Sequence, residues 1–577
     1  MVSQWKDVKL GNAVKGGKKQ CSVLEKDRVQ TSVSLKNDDV LLKKKKNKSS
    51  VKREKILHQE VQKDEVKLDK EQQRVYDMIM QWKNLFLTGK AWTWKSLIIT
   101  RLIDEKQKSF LPLAPTGIAA INLDWKGSTL HSFFWIPLDS TPENIKQRLM
   151  SWSIHFSREK RNLLKGCDGL LIDEISMVRA DMFDIVNSIC QYFLGSDLPF
   201  WGKQIVCVGD LYQLPPVLVW EERVLFYTKY YSEFFFSAHV FDDCHFEVVE
   251  LDKIYRQSDR KFIETLNNFR VWIYNQEDID LINKKVEDDI SKIKHSNILT
   301  LTPTRKRAEK INNDCLDELE GRLYYSEASV WWEFPESVYP TDEELQFKVW
   351  AQIMCIRNLK DSPIRNWTIW TISDVKLYGG VVDEVLISVP WVKKEISLRR
   401  MTWPIYSPHY DSDLKALEYE EVWEFEQFPF RLGWASTIHK SQWLTLEKIN
   451  LDLDKWAFEK GQTYVALSRV TTYDGLTLTR PLKKSDIKTN VSIINFMGHA
   501  LLEKKLLMIE KALKEKKDIV FMYRKASWAM SKRRVSPTWL WTAEFEETKY
   551  YSMEWFCHLR HEMRHFNVAK MFEIELC

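Results

Sequence analysis

The chain has 577 residues, 44% hydrophobic and 29% charged, enough for three or four folded domains with sizeable cores. No run of about 18 apolar residues occurs and the opening MVSQWKDVKLGN lacks an apolar leader, which argues against a membrane span or secretion and for a cytoplasmic location. The nine cysteines are scattered without a C-x-x-C pair, which argues against a zinc site or disulfide framework, and the net charge of +5 comes from residues 1–66, with 17 Lys and Arg against 9 Asp and Glu.

Those first 66 residues, with the run Lys43-Lys44-Lys45-Lys46-Asn47-Lys48, read as a basic disordered tail: either an arm for nucleic-acid phosphates or a solvated extension without a role. From Leu68, LDKEQQRVYDMIM spaces Val75, Ile79 and Met80 as an amphipathic helix, on which Gln72 is placed to bond an adenine edge. An apolar strand through Leu85 and Leu87 then leads into Gly89-Lys90-Ala91-Trp92-Thr93-Trp94-Lys95-Ser96 and a further helix. Strand, phosphate-sized loop and helix in that order hold a nucleoside triphosphate, because backbone N–H groups at the helix start point at the anion. Lys95 adds charge for the outer phosphates, and the Ser96 hydroxyl suits a Mg2+ bridging them.

A loop of this kind needs glycine at position 94 and usually at 92, since its backbone adopts conformations that a Cβ makes costly. The chain holds 18 Gly and 25 Trp, whereas ordinary usage of about 7% implies roughly 40 glycines. This deficit points to glycine codons, UGA in some bacterial codes, having been translated as Trp. A decayed gene or a Trp-rich protein is the alternative.

Downstream, FLPLAPTGIAA from Phe110 breaks a strand at Pro115-Thr116-Gly117, and GSTLHSFF from Gly127 follows. Thr116, Thr129, His131 and Phe133 are small polar and aromatic groups suited to the phosphates and bases of a single strand. Gly169-Leu170-Leu171-Ile172-Asp173-Glu174 is an apolar strand ending in two acids, Asp173 for the metal shell and Glu174 as general base to the attacking water. QIVCVGDLYQLPPV, from Gln204, is a third buried strand; Gln213 on the loop behind it could sense the γ-phosphate, stiffened by Pro215-Pro216.

The ordered set GKAWTWKS, LAPTGIAA, LIDEIS, GDLYQLPP, IYRQ, TIHKSQ and TYVALSR resembles the Pif1-like and RecD-like branch of superfamily 1 DNA helicases over about residues 67–485. The resemblance implies an α/β fold of two RecA-like P-loop NTPase domains with small β insertions. It implies ATP and Mg2+, single-stranded and forked DNA as partners, 5′-to-3′ travel, roles in replication, repair and recombination, and a monomer near the bacterial nucleoid. By resemblance Gln72 reads adenine, Gly89 to Ser96 cradle the phosphates, Ser96 and Asp173 hold the metal, and Gln213 senses the γ-phosphate. Arg256 and Arg469 match two arginine fingers, whose planar guanidinium suits charge on a transferring phosphoryl group. His439, Lys440, Ser441 and Gln442 open a helix and offer groups to the nucleic-acid backbone. Trp92, Trp94, Trp350, Trp367, Trp370, Trp423, Trp443 and Trp456 stand where family members usually carry glycine, while Trp434 stands where they use Trp.

The expected domains are a first RecA-like domain over 67–250, with a strand-separating wedge at about 132–161, and a second over 251–490. The second carries an SH3-like insertion at about 372–424, built on a hairpin across Gly379-Gly380. A helix over 491–516 serves either as a connector or as the last helix of the motor. Residues 517–577 alternate in short runs with basic and aromatic side chains, which predicts an SH3/Sm-like β-barrel. That unit resembles a WYL domain at Tyr523, Arg533, Pro537, Cys557, Leu559, Arg560, Arg564 and Phe566, with Tyr551-Ser552-Met553 at its namesake triplet. The resemblance implies a nucleotide or nucleic-acid ligand. The competing functions are a scaffold without turnover, expected if the indole at 94 is genuine, and a ligand-responsive regulator.

Overall fold

The computed structural model describes residues 68–577 except 105–107, 124–125, 138–139, 152–155, 256–258, 288–296, 332–338, 360–361, 363, 365, 389–394, 412–415, 526–529 and 546–547; the basic tail lies outside the described residues. The first unit is a six-stranded parallel sheet of β1 (Leu85–Gly89), β2 (Phe110–Ala114), β3 (Ser128–Thr129), β4 (Gly169–Ile172), β5 (Gln204–Val208) and β6 (Glu247–Leu251), in the order β3-β2-β4-β5-β1-β6. β1, β2, β4 and β5 are buried along their whole length, as an apolar run covered by helices on both faces must be. Helix α1 (Lys70–Met80) starts at a capping box in which the Asp69 carboxylate accepts from the Gln72 N–H at 2.8 Å. It lays Val75 and Ile79 on the cluster that also takes Ile98, Ile99 and Leu102 of α2 (Lys95–Ile103).

A second parallel sheet holds β7 (Leu299–Thr302) between the strands Ala435–Thr437 and Ile449–Leu451, with Leu476–Leu478 beyond. Between β7 and Ala435 the chain forms antiparallel sheets from Tyr324 to Leu432, a longer stretch than the hairpin alone marks. The hairpin pairs Ile369–Tyr378 with Val381–Ser388, and Gly379 and Gly380 turn it at φ 59° and 86°, as a tight two-residue turn requires. The stretch expected as a wedge holds, among its described residues, the end of the helix Leu130–Phe134, the helix Pro142–Met150 and the start of Arg158–Gly166, joined by loops. One apolar cluster runs through both parallel sheets, from Leu170 and Ile205 to Leu301, Ile449 and Leu476.

The expected connector is two helices. Val491–Ala500 belongs to the motor: Phe496 stacks on Phe236 with centroids 4.1 Å apart, and Ile493, Ile494 and Met497 enter the motor core. Leu502–Glu515 instead covers a five-stranded antiparallel sheet of Ile519–Arg524, Met530–Phe545, Thr548–Cys557, Glu562–Asn567 and Met571–Leu576, placing Ile509 and Ala512 against Phe521, Val535 and Trp555. The units meet where a Cβ on Gly498 would lie 2.7 Å from the Ala569 carbonyl, and buried Lys505 donates to both the Gly498 and Ala569 carbonyls. Desolvation there brings the Lys505 amine down to about 7.

The tryptophans divide by backbone. Of sixteen non-glycine residues with left-handed φ among the described residues, eight are Trp: 82, 92, 94, 135, 201, 272, 350 and 367. Trp82, Trp135 and Trp272 each sit just past a helix, and the next residue's N–H returns to the carbonyl five back, at 3.4, 3.0 and 2.8 Å. That is the helix ending that glycine usually supplies. A side chain larger than glycine's costs about 1–2 kcal/mol there, and the indoles of Trp82, Trp135 and Trp350 stay more than half exposed. Trp403, Trp434 and Trp555, by contrast, are core residues outside that group.

Candidate nucleotide site and motor seam

The phosphate loop leaves β1 at its C-terminal end, the edge of an open parallel sheet where ligands bind. Lys95 Nζ donates to the Gly89 and Lys90 carbonyls at 3.0 and 3.3 Å, and Thr93 Oγ1 donates to the Lys90 carbonyl at 3.0 Å. Burial lowers the Lys95 amine, and the acids bearing on it are Asp210, Glu174 and Asp173. Sequence motifs more than a hundred residues apart thus meet at one ammonium group.

Burial raises both Asp173 and Glu174; the Asp173 charge raises Glu174 further, whereas the Glu174 N–H and Lys95 hold Asp173 down. Asp173 Oδ1 accepts from the Glu174 N–H at 2.8 Å, and Glu174 takes the left-handed region at φ 50°, a strain of the kind found at functional sites. Two half-buried carboxyls that bear on one lysine offer oxygen ligands of the kind a divalent cation takes. Ser96 at the start of α2 can contribute, and among the described residues no cluster of three acid, His or Cys side chains supplies a cage without phosphate oxygens.

Gln72 is 2% exposed; its amide oxygen accepts from the Asp69 N–H at 3.1 Å and Nε2 reaches the Thr93 carbonyl at 3.5 Å. The Trp94 indole stacks on Tyr255 with centroids 4.7 Å apart and planes 13° apart, and the Tyr255 hydroxyl donates to Asp69. Arg256, the next residue, lies outside the described residues. Trp92 is half-buried against the motor core. Gln213 is half-buried on its loop, and its carbonyl faces the second sheet, where a Cβ on Gly461 would lie 2.1 Å away.

Gly461, at φ 75°, opens the helix Gln462–Leu467, and Arg469 follows it. The Arg469 guanidinium is buried and donates to the Val465 carbonyl at 2.9 Å, to Ser468 Oγ at 2.6 Å, and to the Gln442 and Leu444 carbonyls. Desolvation lowers it to about 10, while Tyr464, Glu174 and Asp210 favour its charge. Tyr255, Asp210, Arg270 and Tyr464 also line this seam, none of them chosen as site residues from sequence. Asp210 pairs with Arg270 at 3.1 Å, and Arg270 with Glu250 at 2.9 Å, all largely buried. The aromatic beside an arginine in Tyr255-Arg256 and the acid of Gly209-Asp210 were the available signals.

The residues expected to meet nucleic acid follow β2 and the edge strand β3 of the first sheet and the edge strand Ala435–Thr437 of the second. Thr116 and Thr129 are helix N-caps, their hydroxyls accepting from the Ala119 and Ser132 N–H groups at 3.3 and 3.1 Å. His131 is lowered by burial, with Arg179 next in effect. His439, Lys440 and Ser441 form a single 3₁₀ turn rather than the longer helix expected. Burial brings Lys440 to about 8 and lowers His439, the Ser441 hydroxyl donates to the Ile438 carbonyl, and the Gln442 amide is buried without a partner. Trp443 packs across the seam onto the cluster built by α1 and α2.

A family model described as PIF1-like helicase matches residues 67–287, and one described as WYL domain matches 504–576. An ATP-dependent DNA helicase Pif1 of Bdellovibrio bacteriovorus is 30% identical over 430 residues, covering 72% of this chain and 88% of the relative. The corresponding PIF1 of Danio rerio is 31% identical over 427 residues, 71% of this chain and 60% of the relative, so the chain spans under two thirds of that longer protein. The crystal structure of Bacteroides sp Pif1 in complex with ADP-AlF4 is similar with a TM-score of 0.67 at 33% identity, covering 76% of this chain and 98% of that one. Likeness of this extent, running through both parallel sheets and the loops that meet at Lys95, has one explanation: the chain belongs to the Pif1 family of ATP-dependent DNA helicases and carries a WYL domain at its C-terminus.

Proposed function

We propose that the chain hydrolyses ATP at the seam between its two parallel sheets, steps 5′-to-3′ along single-stranded DNA and forces a forked duplex apart during replication, repair or recombination. The observation that carries this is that Glu174 and Asp210 of the first sheet bear both on Lys95 of the phosphate loop and on Arg469 beyond the second sheet. Bacteroides Pif1 has been crystallised bound to ssDNA, and a structural basis for unwinding at forked dsDNA by two coordinating Pif1 helicases has been described, which supports the same partners here. Lys95 and the loop amides hold the phosphates, Gln72 reads the base edge, and Tyr255 offers a stacking face. Ser96 and Asp173 would hold Mg2+, which supplies charge neutralisation. Glu174 takes a proton from the attacking water, Gln213 reports the outer phosphate, and Arg469 and Arg256 stabilise transferring charge. Thr116, Thr129, His131 and His439 to Gln442 line the strand's path. The motor domains span 67–250 and 251–490, with the helix Val491–Ala500 added to the second, and the monomer acts in the bacterial cytoplasm.

The C-terminal sheet curls into an SH3/Sm-like barrel over 517–577 that takes a nucleotide or nucleic-acid ligand; its one-sided core of Phe521, Val535, Met553, Trp555 and Phe566 supports the curl. Glycine stands at the eight left-handed Trp positions in the organism's own protein, as their backbone argues and as the more than half exposed rings of Trp82 and Trp135 at helix ends support. A scaffold without turnover is the second reading, favoured only by the Trp94 ring lying on Tyr255. Strand-displacement assays with glycine at 92 and 94 test travel: duplexes with a 5′ single-stranded tail should be unwound and those with a 3′ tail should not. Equal unwinding of both, or of neither, rejects the proposed polarity.

A further inference from the structure

One side chain of the helix Gln462–Leu467 reaches from the second sheet into the phosphate loop of the first. Tyr464 is 4% exposed, and its hydroxyl accepts from the Ala91 N–H and donates to Asp210 Oδ2, each at 3.3 Å. Asp210 is fixed by Arg270 at 3.1 Å and by the Tyr212 N–H at 3.2 Å, so the hydroxyl meets a rigid acceptor. Gly461 permits the approach, because any Cβ there would collide with the Gln213 carbonyl.

Loop amides of this kind are the groups that grip polyphosphate. On Ala91 a phenol oxygen from the other sheet already fills that acceptor's role. A phosphate oxygen and the Tyr464 hydroxyl would compete for the same N–H, while the bond from Tyr464 to Asp210 survives the exchange. The helix under Tyr464 also leads to Arg469, five residues on, whose own donors are spent on the Val465, Gln442 and Leu444 carbonyls and on Ser468.

We propose that Tyr464 is a positioning residue: its hydroxyl latches the helix that leads to Arg469 to the phosphate loop in the nucleotide-free chain and gives up the Ala91 amide when phosphate enters. Nucleotide arrival is thereby felt directly by the element that leads to Arg469. This rests on residues 89–96 being the ATP site. Its consequence is a ligand-affinity effect opposite to ordinary damage, because removing the competing acceptor tightens nucleotide binding.

The test is Tyr464→Phe in the full chain with glycine at 92 and 94, read by ADP titration, by KM against kcat for ATP, and by hydrogen exchange of the 89–96 peptide. Removing one net hydrogen bond from the competition should tighten ADP roughly 2- to 10-fold. KM should fall more than kcat, and the loop peptide should exchange faster without nucleotide. A parent that itself fails to bind ADP overturns the ATP-site assignment and the latch with it. A parent that binds, paired with a folded Tyr464→Phe chain of equal or weaker ADP affinity or unchanged loop exchange, overturns the latch alone.

Discussion

Glycine at 92 and 94 is expected to switch on ATP hydrolysis that single-stranded DNA accelerates, with no turnover above background while both indoles are in place. Each residue holds a left-handed backbone, at φ 63° and 56°, and the Trp94 ring lies on Tyr255, the face offered to a base. The double substitution removes this bulk and relieves about 2–4 kcal/mol of backbone strain at roughly 1–2 kcal/mol per residue. The melting temperature should therefore rise together with activity, the reverse of the usual effect of deleting two large side chains. Phosphate release with and without a single-stranded oligonucleotide, alongside a thermal melt, reads both. A chain that melts higher yet stays inert to ATP would refute the nucleotide site. In the gene, UGG at 82, 92, 94, 135 and 272 would refute the decoding.

Against that glycine-bearing parent, Glu174→Gln should cut steady-state hydrolysis by roughly 10²–10⁴-fold, the worth of a positioned general base, while leaving ADP binding within a few-fold. The acid limb of the pH profile gives the same residue a second signature. Burial and the neighbouring Asp173 carboxylate raise Glu174, so the base form is lost at a pH well above the ordinary carboxylate range as the solution is acidified. The stability sign is opposite to that of activity. A carboxyl raised in the fold binds its proton more tightly there than in the unfolded chain. Its contribution is complete below the unfolded value and fades as pH climbs through the folded one. Mild alkali should thus favour turnover and slightly weaken the fold. A Glu174→Gln chain hydrolysing at the parental rate, or an acid limb at the usual carboxylate pH, would remove Glu174 from the chemistry.

Much of the motor was legible because parallel strands buried on both faces are short unbroken apolar runs, and the loops behind them carry the reactive groups. LFLTG, GLLI and QIVCV each announced a strand and each delivered its loop to the Lys95 neighbourhood. Contacts across the seam were not legible. Tyr464 and Ala91 are 373 residues apart, and nothing in TYVALSR marks its tyrosine as bonding a loop in the other sheet. The antiparallel strands between Tyr324 and Leu432 were only partly read, because runs such as Glu344–Phe347 and Gln352–Cys355 are four residues long and lack a turn signal like Gly379-Gly380. Tryptophan in place of glycine also hid helix ends: at 82, 135 and 272 the usual stop residue was missing from the text although the backbone still obeyed it. The compositional deficit was visible from the start, and the resemblance already marked Trp92, Trp94, Trp350 and Trp367. The left-handed Trp82, Trp135, Trp201 and Trp272 emerge only from dihedral angles, and Trp370, Trp443 and Trp456, marked with the first four, are not left-handed.

The seat of Phe496 on Phe236, with Gly498 against the Ala569 carbonyl, has a thermodynamic corollary. Trimming the protein at residue 490 would bare an aromatic floor to water and invite clumping. Warming the intact protein should melt the nucleotide-side half and the terminal module in one calorimetric peak, because Phe572 of the module is buried in the motor's apolar cluster and Lys505 bonds carbonyls on both sides.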